Sequence, residues 1–389
     1  MFSFHRPSRP LVSAVQGLPK ARRRRALAAV DLRDLSWQRR AAPALLAILG
    51  VCVADLSTGK ERYLAPLMTV VPSIAALTLS AAGVLGVCTI GLVALIGLNR
   101  YDQVTAVQDQ RFLFGSMVTY LALTLFSAYV AEIRMRRAAA FAAVSSVAEA
   151  AQRALLRRPG PEVGPLRLAV RYASAADEAR IGGDLYSVLD TPHGTRVLVG
   201  DVRGKGLDAV QTAAVVLGAF REAAYDEPGL RQVATRIEAS VERHVPDGEF
   251  TTALFGEVRG DGMVELLQYG HVPPLRVAPD GTVTVLDAPD PWVPLGLGRL
   301  ADGQPQSWHQ PFGAGDVLVL CTDGVVEARR RGGGEFYPLE RRVAQLVAGA
   351  GGTVAELEAA VGRLYADLLG HTGGDLSDDA LLMLVSRGD

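Results

Sequence analysis

Four aspartates, Asp184, Asp201, Asp323 and Asp378, sit in short segments rich in glycine or aspartate. The apolar runs Val197-Leu198-Val199-Gly200 and Val317-Leu318-Val319-Leu320-Cys321-Thr322 lead into Asp201 and Asp323, and Ile181-Gly182-Gly183 leads into Asp184. Such runs read as buried strands, so each carboxylate is expected in a turn after a strand, where exposed backbone and glycine permit close approach of a ligand. Several hard oxygen donors delivered to one sheet rim suit Mg²⁺ or Mn²⁺, which prefer carboxylate and water to imidazole or thiolate. The chemistry such a centre supports is two-metal phosphoester hydrolysis.

Other reaction classes find less support. The three cysteines, Cys52, Cys88 and Cys321, are far apart and lie in apolar runs, which argues for packing and against disulfides or a zinc site. There is no Cys-x5-Arg loop and no Ser-His-Asp constellation. The glycine-rich stretch 200–206 lacks the four-residue gap of a P-loop and the Ser/Thr after Lys205, so its glycines are expected to turn the chain into a following helix. His271 lies in Gly270-His271-Val272-Pro273-Pro274, where a structural histidine holding a rigid loop is favoured over a proton carrier.

The elements that must position these residues occupy the second half of the chain. At 389 residues there is room for two domains, and the 49% hydrophobic content exceeds what a wholly soluble chain needs. From 165 onward, strands are expected at 166–172, 196–202, 251–258, 263–268, 316–321 and 381–385. Residues 251–258 and 263–268 are expected to pair as a hairpin. Helices are expected at 207–225, 229–244, 337–347 and 353–369. Hairpins mixed with helix pairs predict an α+β sandwich, with helices covering the outer faces of packed antiparallel sheets.

The first 135 residues read differently. Residues 112–131 carry no charge over twenty positions, long enough to cross a hydrocarbon core of about 30 Å. The charge-free stretch 63–99 is long enough for two spans turning at Ser80-Ala81-Ala82-Gly83, and 41–54 is a short fourth candidate. Ten Lys/Arg in residues 1–40, and Arg134, Arg136 and Arg137 after the last span, place both flanks in the cytoplasm and so predict an even number of spans. The expected organisation is a basic cytoplasmic tail at 1–40, a membrane domain of about four helices at 41–135, an amphipathic linker helix at 136–160 and a catalytic domain at 161–389. No cleaved signal peptide is expected. The linker reads equally well as a relay from the membrane or a homodimer contact, and as a plain spacer. The net charge of −1 gives no basis for nucleic-acid binding; the lipid bilayer is the expected partner of the first part.

Six ordered blocks carry a family resemblance. They are Ile181-Gly182-Gly183-Asp184-Leu185-Tyr186, Gly200-Asp201-Val202-Arg203-Gly204-Lys205-Gly206, Gly270-His271-Val272-Pro273-Pro274, Pro294-Leu295-Gly296, Thr322-Asp323-Gly324-Val325-Val326-Glu327-Ala328 and Asp378-Asp379-Ala380. Over 165–387 the chain resembles the bacterial SpoIIE/RsbU branch of the PPM (protein phosphatase 2C-like) serine/threonine phosphatases. The resemblance implies an α-β-β-α sandwich of two antiparallel sheets and two divalent ions, Mn²⁺ or Mg²⁺. It implies Asp201 as the ligand bridging both metals, Val202 as a backbone-carbonyl ligand, Asp184 as a ligand of one metal, and Asp323 and Asp378 as ligands of the other, with Asp379 a less certain neighbour. Asp201 and Asp323 are the residues expected to be essential for catalysis. The family usually has a second aspartate where this chain has Ser187, and Asn-Ala where it has Gln268-Tyr269. The serine would weaken support for an outer metal.

A phosphoserine monoester is dianionic near neutral pH and repels a nucleophile. Two cations would neutralise it and supply hydroxide, with no covalent phosphoenzyme. By resemblance the substrate is phosphoserine or phosphothreonine on a partner protein, typically a STAS-fold anti-sigma-factor antagonist. The competing expectation is a membrane receptor that uses a phosphatase-like domain to bind a partner without turnover.

Overall fold

The structure is a computed structural model that describes residues 37–58, 64–101, 107–173, 182–246 and 248–388. Most of the basic tail, Ile181 and the centre of the 99–111 loop lie outside the described residues. The chain divides into two units, Met1–Phe141 and Ala142–Asp389.

The first unit is helical: α1 (Trp37–Thr58), a 3-10 turn (Ala65–Val70) running into α2 (Val71–Thr78), α3 (Ala81–Tyr101) and the first part of α4 (Val107–Leu155). Among the described residues, three stretches are long and apolar enough to cross a membrane, namely α1, α3 and Phe114–Ala140 within α4. Of the two spans expected within 63–99, only α3 has full length; Ala65–Thr78 is short for a span at 1.5 Å per residue. Pro66 and Pro72 each sit at the start of a helical segment, so the apolar stretch 63–99 divides unequally around the break at Leu79-Ser80. An even number of crossings would need that short segment to span. Conversely, the 41–54 candidate is a full-length helix: Asp55 does not end it, because this buried carboxylate accepts a 2.7 Å hydrogen bond from the Leu64 amide. Leu49, Val53, Ile90, Val93, Leu125 and Phe126 are exposed, an apolar exterior suited to lipid.

The second unit is a four-layer sandwich. One sheet runs β1 (Glu162–Val163), β2 (Leu166–Ala173), β11 (Ala380–Arg387), β10 (Val317–Cys321), β7 (Leu275–Val277) and β8 (Val283–Val285). The other runs β3 (Asp184–Thr191), β4 (Gly194–Val202), β5 (Thr251–Val258), β6 (Met263–Tyr269) and β9 (Trp308–Pro311). All pairings between these strands are antiparallel. Alternation along each strand decides the layering. In β10, Leu318 and Leu320 join Met383, Val197, Val199 and Leu254 between the sheets. Val317, Val319 and Cys321 face the other way, onto α8 (Leu339–Leu346) and α9 (Val354–Thr372). In the second sheet Leu185, Leu198, Phe255 and Leu267 pack under α5 (Leu207–Asp226) and α6 (Leu230–His244). Because both of their faces are covered, the central strands β10 and β11 read as nearly continuous apolar runs.

The register explains how acids scattered over almost 200 positions reach one place. β10 and β11 pair with Cys321 opposite Leu382, so Asp323, just past the end of β10, lies beside Asp378, just before β11. β3 and β4 pair with Asp184 directly opposite Asp201. Each sheet therefore contributes acids from the end of one strand and the start of its antiparallel neighbour. This corrects the expectation of four turns after strands: Asp184 opens β3, Asp201 is the penultimate residue of β4, and Asp323 begins a short helix, α7 (Asp323–Val326).

Candidate metal centre

Asp184 and Asp201 share the side of their sheet that faces the other sheet, the side of Tyr186, Val188, Val197 and Val199. Asp184 is buried, and its Oδ2 accepts a 2.9 Å hydrogen bond from the Thr322 hydroxyl, which in turn accepts from the Leu381 amide at 3.0 Å. Thr322, fully buried between Cys321 and Asp323, thus ties the acidic end of one sheet to that of the other. Val202 donates its amide to the Gly183 carbonyl at 3.1 Å. A Cβ placed on Gly183 would lie 2.3 Å from the Val202 carbonyl oxygen and 2.6 Å from Asp201 Oδ1, so both oxygens converge on a spot that only glycine leaves open. The same holds at Gly324, where a Cβ would come within 1.8 Å of the Asp379 carbonyl oxygen. The chain through Asp378 and Asp379 crosses directly over the Asp323-Gly324 bond, which is why a glycine follows that aspartate.

The electrostatics are those of a crowded acidic site. Burial, then the charge of Asp201, pushes the Asp184 carboxyl well above its usual range, with Thr322 opposing and with Asp379 and Asp323 adding to the rise. Burial, then Asp323, Asp378 and Asp379, pushes Asp201 up to about 7. Asp323 is raised by burial and by Asp378, and Lys205 opposes this. The Lys205 ammonium lies 2.6 Å from Asp378 Oδ1 in a half-exposed ion pair. Cys321, beneath the site, is pushed up to about 12 by burial and by Asp184 and Asp323, so it remains a thiol.

The structure brings together all five positions expected to bind metal: Asp184, Asp201, the Val202 carbonyl, Asp323 and Asp378. It also adds Asp379, which is buried, has its Oδ2 against Gly182 and interacts with both Asp184 and Asp201. Among the described residues no three acidic, histidine or cysteine side chains surround a single point as a finished ligand set. The donor set nonetheless fits divalent cations: every donor is a hard oxygen, the acids repel one another through a partly desolvated space, and cation charge is the simplest relief.

Sequence reading missed two further residues. The Tyr172 hydroxyl donates to Asp379 Oδ2 at 3.1 Å, and the Gln152 amide donates to the Tyr172 oxygen and to the Gly182 carbonyl, each at 3.0 Å. Burial, then the charges of Asp379 and Asp184, raises the Tyr172 pKa, which keeps its hydroxyl a donor. The register of β2 on β11, with Tyr172 opposite Leu381, was the signal available once that pairing was assumed.

Ser187 lies on the opposite side of β3 from Asp184. It alternates with Tyr186 and shares the face of Leu185, which packs under α5, so a metal-supporting role for this position has no geometric basis here. Gly204 and Gly206 have φ of 98° and 92°, and this left-handed backbone turns the chain from Asp201 into α5 as expected.

His271 is placed as a loop anchor. Its ring is buried, Nδ1 lies 3.0 Å from Thr252 Oγ1, and Gln268 donates its amide to the His271 carbonyl. Tyr269, beside it, packs edge-on against Phe255. Burial pulls the His271 pKa down to about 4, so the imidazole is neutral in the folded protein. Since the unfolded chain titrates near 6.5, the folded state takes up fewer protons between these values; stability is full above pH 6.5 and is lost as pH falls toward 4. The loss is about 3 kcal/mol over that window. In His271→Asn an amide takes the place of Nδ1. Denaturant titrations at pH 7.5 and 4.5 are expected to show the parent losing about 2–3 kcal/mol more than this variant. Equal losses would contradict the assignment.

A family model described as Stage II sporulation protein E (SpoIIE) matches residues 191–388, which include Asp201, Asp323, Asp378 and Asp379. Asp184 lies just before the matched segment. Phosphoserine phosphatase RsbU of Bacillus subtilis (strain 168) is 25% identical over 213 residues, covering 54% of this chain and 60% of that protein. The chain thus spans about three-fifths of the length of the curated relative it matches. The SiaA-PP2C domain of Pseudomonas aeruginosa superposes with a TM-score of 0.51 at 17% identity, over 67% of this chain and 100% of that one. The PP2C phosphatase domain of SpoIIE from Bacillus subtilis gives 0.45 at 18% identity, over 57% of this chain and 64% of that one. The SiaA likeness speaks to fold alone, and the fold is the PPM-type phosphatase sandwich. With just over half of its length matched by the family model, the chain belongs to the SpoIIE family.

Proposed function

We propose that the protein is a membrane-anchored, metal-dependent serine/threonine phosphatase acting on a phosphorylated partner protein. The observation that carries this reading is the meeting of acids from both sheets, Asp184 and Asp201 from one and Asp323 and Asp378 from the other, with the Val202 carbonyl beside Asp201. Asp184, Asp201, the Val202 carbonyl, Asp323 and Asp378 are the groups that would hold two divalent ions, Mn²⁺ or Mg²⁺, with Asp201 placed between the acids of the two sheets. The ions, when bound, neutralise the phosphoryl oxygens and make a water acidic enough to attack.

The chain's own residues prepare the site. Asp184 is held by Thr322, so its second oxygen is free to face Asp201. The Lys205–Asp378 pair is half-exposed and contributes little to stability, so it opens at small cost to free the Asp378 carboxylate. Neutral His271 keeps the loop beside β5 rigid without adding charge. By the family likeness the partner is a phosphoprotein of a sigma-factor pathway, such as a STAS-fold anti-sigma-factor antagonist. The apolar helices hold the protein at a lipid bilayer with the phosphatase domain cytoplasmic, and the linker helix is available for homodimer contact; an N-terminus on the same side requires Ala65–Thr78 to cross as well.

The test is hydrolysis of an aryl phosphate and of a phosphoserine protein by the full chain in detergent. Turnover is expected with Mn²⁺ and is expected to vanish when EDTA is added. Folded protein with no turnover at any Mn²⁺ concentration would sink the enzyme reading and favour a partner-binding domain.

A further inference from the structure

We propose that Tyr172 and Gln152 are positioning residues of the metal centre, fixing the Asp379 carboxylate and the Gly182 backbone as one unit. This rests on the metal-dependent reading above. The three parts come from distant places: Gln152 from the last turn of α4, Tyr172 from the end of β2, and Asp379 from the approach to β11. Gln152 is buried, and both of its amide hydrogens have acceptors, the Tyr172 oxygen and the Gly182 carbonyl, each at 3.0 Å. Tyr172 passes the chain on to Asp379 Oδ2 at 3.1 Å.

These hydrogen bonds bear on the metal centre in two ways. Asp379 is buried among like charges, so without a donor its carboxylate would swing away from Asp184 and Asp201. The Tyr172 hydroxyl supplies a donor that adds no charge. Second, Gly182 lies under Asp379, with room for no side-chain atom, and stands two residues before Asp184. By holding the Gly182 carbonyl, Gln152 fixes the start of β3 and with it the placement of Asp184. One amide thus sets the spacing between an acid of one sheet and an acid of the other. Partners that orient metal-binding carboxylates commonly change metal affinity by about 10–100-fold when removed.

The experiment measures Mn²⁺ binding to the full chain in detergent by calorimetry, together with thermal unfolding in EDTA. Tyr172→Phe keeps the ring and removes the hydroxyl; Gln152→Met keeps the length and removes both donors. Each is expected to weaken Mn²⁺ binding about tenfold while the EDTA midpoint moves little. In an Asp379→Ala background, Tyr172→Phe is expected to add no further loss. A parent that binds Mn²⁺ while both variants bind within twofold of it would overturn this inference and leave the metal centre standing, and so would a full additive loss in the Asp379→Ala background. A parent that binds no Mn²⁺ would overturn both.

Discussion

Asp201→Asn is expected to reduce Mn²⁺-dependent phosphate hydrolysis by about 10³-fold, because a metal's electrostatic stabilisation of the transition state is worth several kcal/mol and each 1.4 kcal/mol is tenfold. The same change is expected to make the EDTA-treated protein more stable. Asp201 is pushed up to about 7 by burial and by Asp323, Asp378 and Asp379. The folded state therefore binds a proton more readily than the unfolded chain, whose carboxyl titrates near 4. Its stability falls as pH rises through that interval, and the penalty is complete above pH 7. Asparagine has the same shape without the charge, so at pH 7.5 it removes the penalty. A gain of even 1 kcal/mol moves the midpoint by about 2–4 °C for a domain of this size. Opposite signs for activity and metal-free stability separate a functional acid from a structural one. If Asp201→Asn lowered the EDTA midpoint, the account of a crowded acidic site would fail.

The positions of the acids were legible because each one borders a run whose composition leaves little choice. Val317 to Leu320 has no polar residue and had to be a covered strand, and Asp323-Gly324 had to end it. The helices at 207–225 and 353–369 were equally plain, since the apolar stripe of each recurs at helical spacing. What escaped is what depends on pairing. β3 opens and nearly closes on aspartate, with Asp184 at one end and Asp190 near the other, so its ends look like turns until β4 is laid against it. Tyr172 and Gln152 lie 207 and 227 positions from Asp379, and neither has a local pattern that marks it. In the membrane part, freedom from charge was a poor ruler: α1 runs through Arg39, Arg40 and Asp55, because the last finds a backbone amide to bond.

Arg196 is a further residue that sequence reasoning passed over, and replacing it is expected to be among the most destabilising changes in the second unit. It lies near the start of β4 opposite Glu257 of β5, and both side chains are completely buried. Its Nε donates to Glu257 Oε2 at 2.6 Å, and its other nitrogens donate to the carbonyls of Ala224, Glu227 and Pro228 at 2.6, 2.7 and 3.1 Å. One guanidinium therefore neutralises a buried acid and caps the carbonyl end of α5, where the chain turns into α6. Arg196→Leu removes all of these bonds at once. Breaking a buried pair by taking one partner costs about 3–5 kcal/mol, so the thermal midpoint is expected to fall by roughly 10 °C. Glu257 retains Arg259 on its second oxygen, which keeps the cost within that range. The double change Arg196→Leu with Glu257→Leu tests the partition of the loss. Where a buried pair acts alone, two apolar residues are often as stable as the pair. Here the three carbonyls would remain without a donor, each costing about 1–3 kcal/mol if water cannot reach it. Recovery is therefore expected to be partial. Full recovery in the double variant would assign the cost to the stranded charge of Glu257, and would show that the helix end does not depend on Arg196.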